Sequence, residues 1–411
     1  MDPIVVMGAG AAGIMAAYRA AELGANAILL EKTSRIGTKI LISGGGKCNI
    51  THDGPLEDVL KPFRPNEARF IRPACYRWTN DQIVAFLTDR GLRVYTRDDG
   101  RIFPVDQTAK DVVAILHARL KEVGVDIRLD TPATGVERDG NGVCAVLVGD
   151  ETIRTRSVVL AVGGSSYPKS GTTGDGWRWA VRLGHSLVPI QAALAPIILR
   201  GKRWQPYSGV ALRDCELKAR QGDKVFVRWR GDLLFTHIGV SGPCTLGISR
   251  EVTEALERGE VSLEVDLLPD TSFESLNADL QEYARAHPKR RVSTYLESVM
   301  PNRLADEMFL SAGLSVESEI GQLKRAERNR LVACLKGWKL GTVFEVVLDK
   351  GEIVAGGISL DEVDPHSMRS LKCPGLFVCG EALDIAGPIG GYNLQAAFST
   401  GYVAGESAAE K

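Results

Sequence analysis

The sequence has no apolar run approaching the roughly 20 residues that a membrane-spanning helix needs, and its longest candidates are broken by glycine or charge. Charge of one sign is also missing. Fifty Lys and Arg stand against 51 Asp and Glu, so no global field points to nucleic acid or an anionic membrane, although a local basic face stays open. The eight cysteines include no C-x-x-C pair and no zinc-ligand spacing, which argues against a dithiol redox motif and a metal site. Scattered cysteines of this kind suit a reduced chain. Position 4 already lies in an apolar run with no charged leader before it, so no signal peptide is expected. These absences together predict a soluble, cytoplasmic protein with no membrane partner and no metal. No internal repeat or low-complexity tract is visible. What remains, at 411 residues, is a chain long enough for two or three domains.

What is present begins at once. Ile4-Val5-Val6-Met7 reads as a buried strand, Gly8-Ala9-Gly10-Ala11-Ala12-Gly13 follows, then a helical run from Ile14 to Leu23 and a second strand, Ala27 to Leu30, ending at Glu31. A G-x-G-x-x-G motif between strand and helix is a dinucleotide fingerprint in its required context. Gly8 permits the tight turn, Gly10 lets backbone approach a pyrophosphate, and Gly13 allows close packing of helix on strand. The pyrophosphate charge would meet the unpaired N–H groups at the helix start. Glu31, eighteen residues after Gly13, is placed to accept from both ribose hydroxyls of an adenosine. A carboxylate there repels a 2′-phosphate, so FAD or NAD fits and NADP does not.

Further along, Ser43-Gly44-Gly45-Gly46-Lys47-Cys48-Asn49 cannot pack a core. Its glycines expose backbone N–H groups and let the chain lie flat against a ligand. Arg35 and Lys39, just before it, could meet phosphate. Asp81–Arg90 and Thr108–Val123 carry helical apolar spacing, and the run from Thr131 to Thr155 reads as a three-stranded meander turned at Asp139–Gly142. Ser157 to Val162 is a continuous apolar strand running into Gly163-Gly164. Near residue 190 the grammar changes to short alternating runs, an antiparallel barrel or sandwich, then to helices over 273–336. Those helices hold a basic cluster including Arg285, Lys289, Arg290, Arg291, Lys324, Arg325, Arg328 and Arg330. A solvated helical surface is its first reading and an RNA grip its second. The α/β grammar then returns, with Gly375–Glu381 as a strand, Gly387–Asn393 as a loop and Leu394–Ala409 as a helix rich in small residues. The expected domains are 1–190 and 339–411 for a divided dinucleotide-binding domain, 191–270 for a barrel and 271–338 for a helical subdomain.

The segments GAGAAG (8–13), SGGGKCNIT (43–51), DGRIFP (99–104), GGSSYPKSGTTGDG (163–176), FTHIGVSGP (235–243) and CGEALDIAGPIGGYNLQAAFSTG (379–401) carry a resemblance along nearly the whole chain. The sequence resembles the BaiN/RdsA (YhiN-like) group of FAD-dependent oxidoreductases. It departs from that group at Lys47, where Arg is more usual, at Val354 for Thr, and at Arg369 for an acid. The resemblance implies an α/β, glutathione-reductase-like, Rossmann-like FAD-binding domain interrupted by an inserted β-barrel and a helical subdomain. Carried over, Gly8, Gly10, Ala11, Ala12, Gly13, Glu31 and Lys32 hold the ADP half of FAD. Ala133 meets adenine, and Gly163 and Gly164 close over the cofactor. Gly380, Glu381 and Asp384 approach the ribityl chain. Gly390, Gly391, Tyr392, Asn393 and Leu394 present a helix start to the flavin pyrimidine, Ser43 to Asn49 run beside the isoalloxazine ring, and Lys39 is counted among the cofactor-binding residues.

The resemblance further implies reduction of an activated C=C bond by hydride from flavin N5. The single dinucleotide fingerprint suggests that NAD(P)H visits transiently and does not reside. Such a reaction needs a proton donor in the cleft, for which Cys48, Tyr167 and His237 are the candidates. A small-molecule substrate is the first expectation. Dihydrouridine formation in ribosomal RNA, gripped by the basic helices, is the second, and a flavin-binding redox sensor without turnover the third.

Overall fold

A computed structural model describes residues 2–410. The chain divides into two compact units: residues up to Gln191 together with those from Glu352 onward, and Ala192–Gly351 between them.

The first unit is built on a five-stranded parallel sheet. In spatial order its strands are Leu376–Val378, Ser157–Leu160, Ile4–Met7, Ala27–Leu30 and Asp126–Arg128. Ile4–Met7 pairs in register with Ala27–Leu30 on one side and Ser157–Leu160 on the other. All eight residues of Ile4–Met7 and Ala27–Leu30 are buried, as expected for a parallel sheet covered on both faces. The helix Ala11–Glu22 is sandwiched between this sheet and the last helix, Tyr392–Ala409. The two helices approach closely because the later one offers glycines. A Cβ built on Gly401 would lie 2.1 Å from the Ala12 carbonyl oxygen, and one on Gly405 equally close to that of Ala16. The predicted meander is present as Ala133–Asp139, Gly142–Val148 and Glu151–Arg154. The sequence reads as helices with a small strand pair over 55–123 but sets no bounds for the helix Pro65–Arg77, whose buried residues include Phe70, Ile71, Ala74 and Cys75. Pro65 at its first turn is a compatible start, but Pro73 inside it removes a hydrogen bond and hides the helical signal.

The inserted unit holds a closed barrel of six strands in the order Ile197–Leu199, Gly239–Ser241, Lys224–Phe235, Ala211–Gln221, Ser262–Asp266 and Trp338–Val346. The expected boundary at 339 is corrected here. Trp338–Val346 does not belong to the returning α/β segment; it closes the barrel by pairing antiparallel with Ile197–Leu199 and Ser262–Asp266. Closure between residues so far apart leaves no local trace, so the boundary was placed a strand too early. Nor do residues 271–338 form a core of their own. Leu276, Leu280, Leu331 and Leu335 from the helices Phe273–Ala286 and Arg325–Lys336 share one apolar cluster with the barrel residues Leu217, Leu233 and Val265. Within it, Trp204 stacks on Phe235 at 4.6 Å and meets Trp338 edge-on at 5.3 Å. No helix among the described residues is long and apolar enough to cross a membrane.

Candidate functional site: a dinucleotide cradle with two organised ends

The three fingerprint glycines meet three different demands. Gly8 has φ +97°, and a Cβ there would sit 2.7 Å from the Ala161 carbonyl oxygen, so the turn takes only glycine. A Cβ on Gly13 would lie 1.8 Å from the Gly8 oxygen, which fixes helix against turn. Gly10 is the reverse: nothing lies within 4 Å of a Cβ built on it, so its backbone faces open space. The helix that starts here has no side-chain cap and no acid in its first turn. Its orphan N–H groups and dipole are thus left for an anion. Glu31 stands at the end of the second strand, its Oε2 accepting from Ala9 N–H at 2.9 Å and its Oε1 from Thr33 N–H and Oγ1, each at 2.8 Å. These bonds aim the carboxylate and leave lone pairs for ribose hydroxyls. E31A is expected to weaken FAD binding by about 10- to 100-fold, the worth of hydrogen bonds to a charged group. Fluorescence titration of the apoprotein with FAD measures this, and unchanged affinity would remove Glu31 from the site.

Two basic residues near the cradle, Lys32 and Lys39, are already partnered, whereas Arg35 is exposed. Lys32 donates to Thr173 Oγ1 at 2.6 Å and to Asp175 Oδ2 at 2.9 Å. Burial works the other way, but bonds from Thr173, Lys32 and Arg178 hold the Asp175 carboxyl down at about 2. Lys39 donates to Glu381 Oε2 at 2.6 Å and Ser166 Oγ at 3.1 Å. It therefore ties the short helix Thr38–Ile42 to the turn Gly380–Ala382 and does not stand free for phosphate. Glu381 Oε1 also accepts from Val354 N–H at 3.0 Å, and Asp384 Oδ1 from Gly356 N–H at 2.9 Å. Ser166, at the centre of this network, was not anticipated. Its only signal was a serine pair following a glycine pair at the end of a buried strand. Gly163 and Gly164 pack beside it, and a Cβ on Gly164 would lie 2.7 Å from Val354 Cγ2.

At the other end, the glycine loop and the last helix are joined. Gly44, Gly45 and Gly46 have φ of 56°, 68° and 87°, a path few other residues take. Ser43 braces the loop by donating to the Ile40 carbonyl at 2.8 Å and accepting from Cys48 N–H at 3.0 Å. With the Asn49 amide oriented by its neighbours, its oxygen accepts from Gly391 N–H at 2.9 Å and its nitrogen donates to the Thr51 carbonyl at 3.2 Å. Asn393 closes the loop before the helix, accepting from Gly387 N–H and donating to the Gly387 carbonyl, both at 2.8 Å. Its side chain is thereby spent on its own loop. Tyr392–Ala409 then begins with no side-chain cap and no acid in its first turn. Lys47 is exposed, Leu394 is half-buried, and Ala133 opens the first meander strand. An open backbone at Gly10, an aimed carboxylate at Glu31 and a second uncapped helix start suit the pyrophosphate, ribose and flavin pyrimidine of FAD. The residues fit the group.

The three candidate proton donors fare differently. Cys48 is corrected: it is 0% exposed, and burial pushes its thiol up to about 12 against a weaker pull from Ser43. It packs beneath the loop at φ 64° and is sealed from any substrate. Tyr167, also left-handed at φ 53°, is 41% exposed, its carbonyl accepting from Ser170 N–H and Oγ. His237 is exposed in the turn Thr236–Gly239 of the inserted unit, where Thr236 N–H donates to the Gly239 carbonyl at 2.8 Å. The structure does not bring the three together in one unit.

Comparison with known proteins agrees with this cradle. The family described as HI0933-like protein Rossmann domain matches residues 2–407. Over 405 residues the chain is 30% identical to the ribosomal RNA dihydrouridine synthase of Haemophilus influenzae, covering 97% of this chain and 96% of that protein. It is 28% identical over 414 residues to the 3-dehydro-bile acid delta(4,6)-reductase of Clostridium scindens, with both covered in full. The solved structure of 3-ketosteroid delta1-dehydrogenase from Sterolibacterium denitrificans, in complex with 1,4-androstadiene-3,17-dione, shares the fold at 16% identity. Its TM-score is 0.52, and 99% of each chain is covered. A fingerprint with each glycine in its required role, matched from residue 2 to residue 407, places this chain in the HI0933-like family of FAD-dependent oxidoreductases.

Proposed function

We propose that the protein saturates an activated C=C bond of a small molecule, taking its electrons from NAD(P)H. The observation that supports this most is the bond between Asn49 and Gly391, which joins the glycine loop to an uncapped helix start. It sets the redox end of the cofactor apart from the Gly8–Gly13 anchor. Reduced FAD supplies a hydride when bound there. The protein's part is to hold the ring beside the Ser43–Asn49 backbone and to offer the helix dipole to charge that gathers on the pyrimidine. Two of the relatives matched along their whole length carry names that denote hydrogenation of a C=C bond, one in a bile acid and one in RNA. Only one dinucleotide fingerprint exists in the chain, so nicotinamide is read as a visitor.

RNA as substrate is the second reading, favoured by Lys289 and Arg290 in the connection after the helix Phe273–Ala286 and by Lys324 and Arg325 at the start of Arg325–Lys336, all exposed. It ranks second because part of the basic cluster is spent internally. Arg291 pairs with Glu317 at 2.6 Å, Arg328 donates to Asn277 Oδ1 at 2.8 Å, and Arg330 to the Ala312 carbonyl at 2.9 Å. Anaerobic reduction by NADH or NADPH, followed by a reoxidation screen, separates the readings. Reoxidation by a conjugated enone supports the small-molecule reading. Reoxidation by unmodified ribosomal RNA alone, lost in K289E/R290E/R291E and steeply salt-sensitive, overturns it in favour of RNA. A flavin that neither donor bleaches, or that nothing reoxidises, indicates a sensor.

A further inference from the structure

Saturating a C=C bond takes a hydride at one carbon and a proton at the other. With Cys48 sealed in the core, the proton must come from another group. We propose that Glu352 is this donor, its carboxylic acid delivering the proton to the carbon that does not receive hydride. The inference rests on the reductase reading above.

Glu352 lies at the re-entry into the first unit, directly before the strand Ile353–Ile358. Its main chain is pinned into the network around the turn Gly380–Ala382. The Glu352 carbonyl accepts from Ser166 Oγ at 3.3 Å, the same hydroxyl that Lys39 reaches at 3.1 Å. Two residues on, Val354 N–H donates to Glu381 Oε1 at 3.0 Å. The backbone is thus held on both sides of Glu352, and Ser166, Lys39 and Glu381 all brace the same point.

Its side chain is treated differently. Among the described residues no hydrogen bond or ion pair holds the Glu352 carboxyl, although it is exposed. The charged groups nearby are Lys39 and Glu381, and the Lys39 ammonium is turned to Glu381 Oε2 at 2.6 Å. Two carboxyls therefore stand beside one lysine: one is paired, and the other is left open. Protein crowds the open one closely enough that burial pushes its carboxyl above the ordinary value, with Lys39 pulling weakly the other way. An unpartnered carboxyl with an open face and a raised proton affinity, on a fixed backbone beside the turn Gly380–Ala382, has the features of a general acid. The balance is simple. The C=C bond gains the hydride and the Glu352 proton, and the carboxylate left behind regains a proton from water.

The test uses the FAD-loaded protein, reduced anaerobically and mixed with an enone that reoxidises the wild type. E352Q is expected to keep its flavin and to be bleached by NAD(P)H, while its reoxidation slows by about 10²- to 10⁴-fold, the usual contribution of general acid catalysis. E352D should recover part of the rate. Because the acid form acts, wild-type reoxidation should fall as pH rises through the Glu352 titration, and E352Q should lose that dependence. A second readout needs no turnover: in an infrared pH titration, a protonated-carboxyl band should persist in the wild type above the pH at which an ordinary glutamate ionises, and be missing in E352Q. Wild-type rates and pH profile in E352Q, or an infrared band unchanged by the substitution, overturn the proposal while leaving the reductase reading intact. A wild-type protein that no enone reoxidises overturns that reading, and the proposal with it.

Discussion

G13A protein is expected to purify colourless, whereas G10A should fold normally and still bind FAD poorly. The two substitutions add the same methyl group three residues apart, and the structure separates their effects. At Gly13 the new carbon would lie 1.8 Å from the Gly8 carbonyl oxygen and 3.3 Å from Ala161 Cβ. Neither obstacle is the end of a flexible side chain, so the helix must back away from the turn that positions the pyrophosphate. Overpacking of this kind costs about 1–3 kcal/mol, and the displaced loop loses its aim as well. At Gly10 no atom stands within 4 Å, and φ is −80°, an ordinary value for alanine. The apoprotein should therefore melt as the wild type does, while the methyl group occupies the space through which backbone meets phosphate. Flavin content per chain and thermal melting of the apoprotein read both predictions. G13A with wild-type flavin content, or G10A with a lowered apoprotein melting temperature, would contradict the roles given to these glycines.

The second large effect is expected far from the cofactor. G401V should lower the melting temperature by about 3–4 °C, taking a cost near 3 kcal/mol and an unfolding entropy of about 2.1 cal/mol/K per residue over the 411-residue chain. Its Cβ would enter at 2.1 Å from the Ala12 carbonyl oxygen, with the Ala12 Cα and carbonyl carbon at 2.8 and 2.7 Å. Helix backbone cannot yield as a side chain does, so the helices must separate over several turns. Gly405 makes the same approach one turn later at Ala16, and G405V should behave alike. Adding the two substitutions should cost less than their sum, since once the helices part the second clash is already relieved. Differential scanning calorimetry of the three variants tests this, and full additivity would show that the two contacts act independently.

The opening strand–helix–strand was legible because each of its parts has a local signature: an apolar run, glycines at fixed spacing, an acid at the next strand end. The meander and the last helix were legible for the same reason. What escaped was determined by partners far along the chain. Trp338–Val346 alternates like any strand, and only its pairing with Ile197–Leu199 makes it part of a barrel. Lys39 beside a glycine loop suggested phosphate, but the carboxylate that takes it lies at Glu381, on the far side of the inserted unit in sequence. Cys48 beside a run of glycines reads either as a proton donor or as a small packing residue, and its left-handed backbone, with the thiol buried, decides for packing. Helix Pro65–Arg77 was hidden by its own prolines, which weigh against a helix locally and are tolerated here by the packing of Phe70 and Ile71.

The pairing of the first and last helices also sets an order of events during synthesis. Ala12 and Ala16 leave the ribosome long before Gly401 and Gly405, the glycines that cover them. Every residue of the inserted unit is made in the interval, and that unit has a core of its own to fold around. The cofactor domain, begun first, is finished last. Until the final helix arrives, one face of its fingerprint helix has nothing to pack against, and the helix start expected at the flavin pyrimidine does not yet exist. Flavin loading thus follows synthesis of the inserted unit.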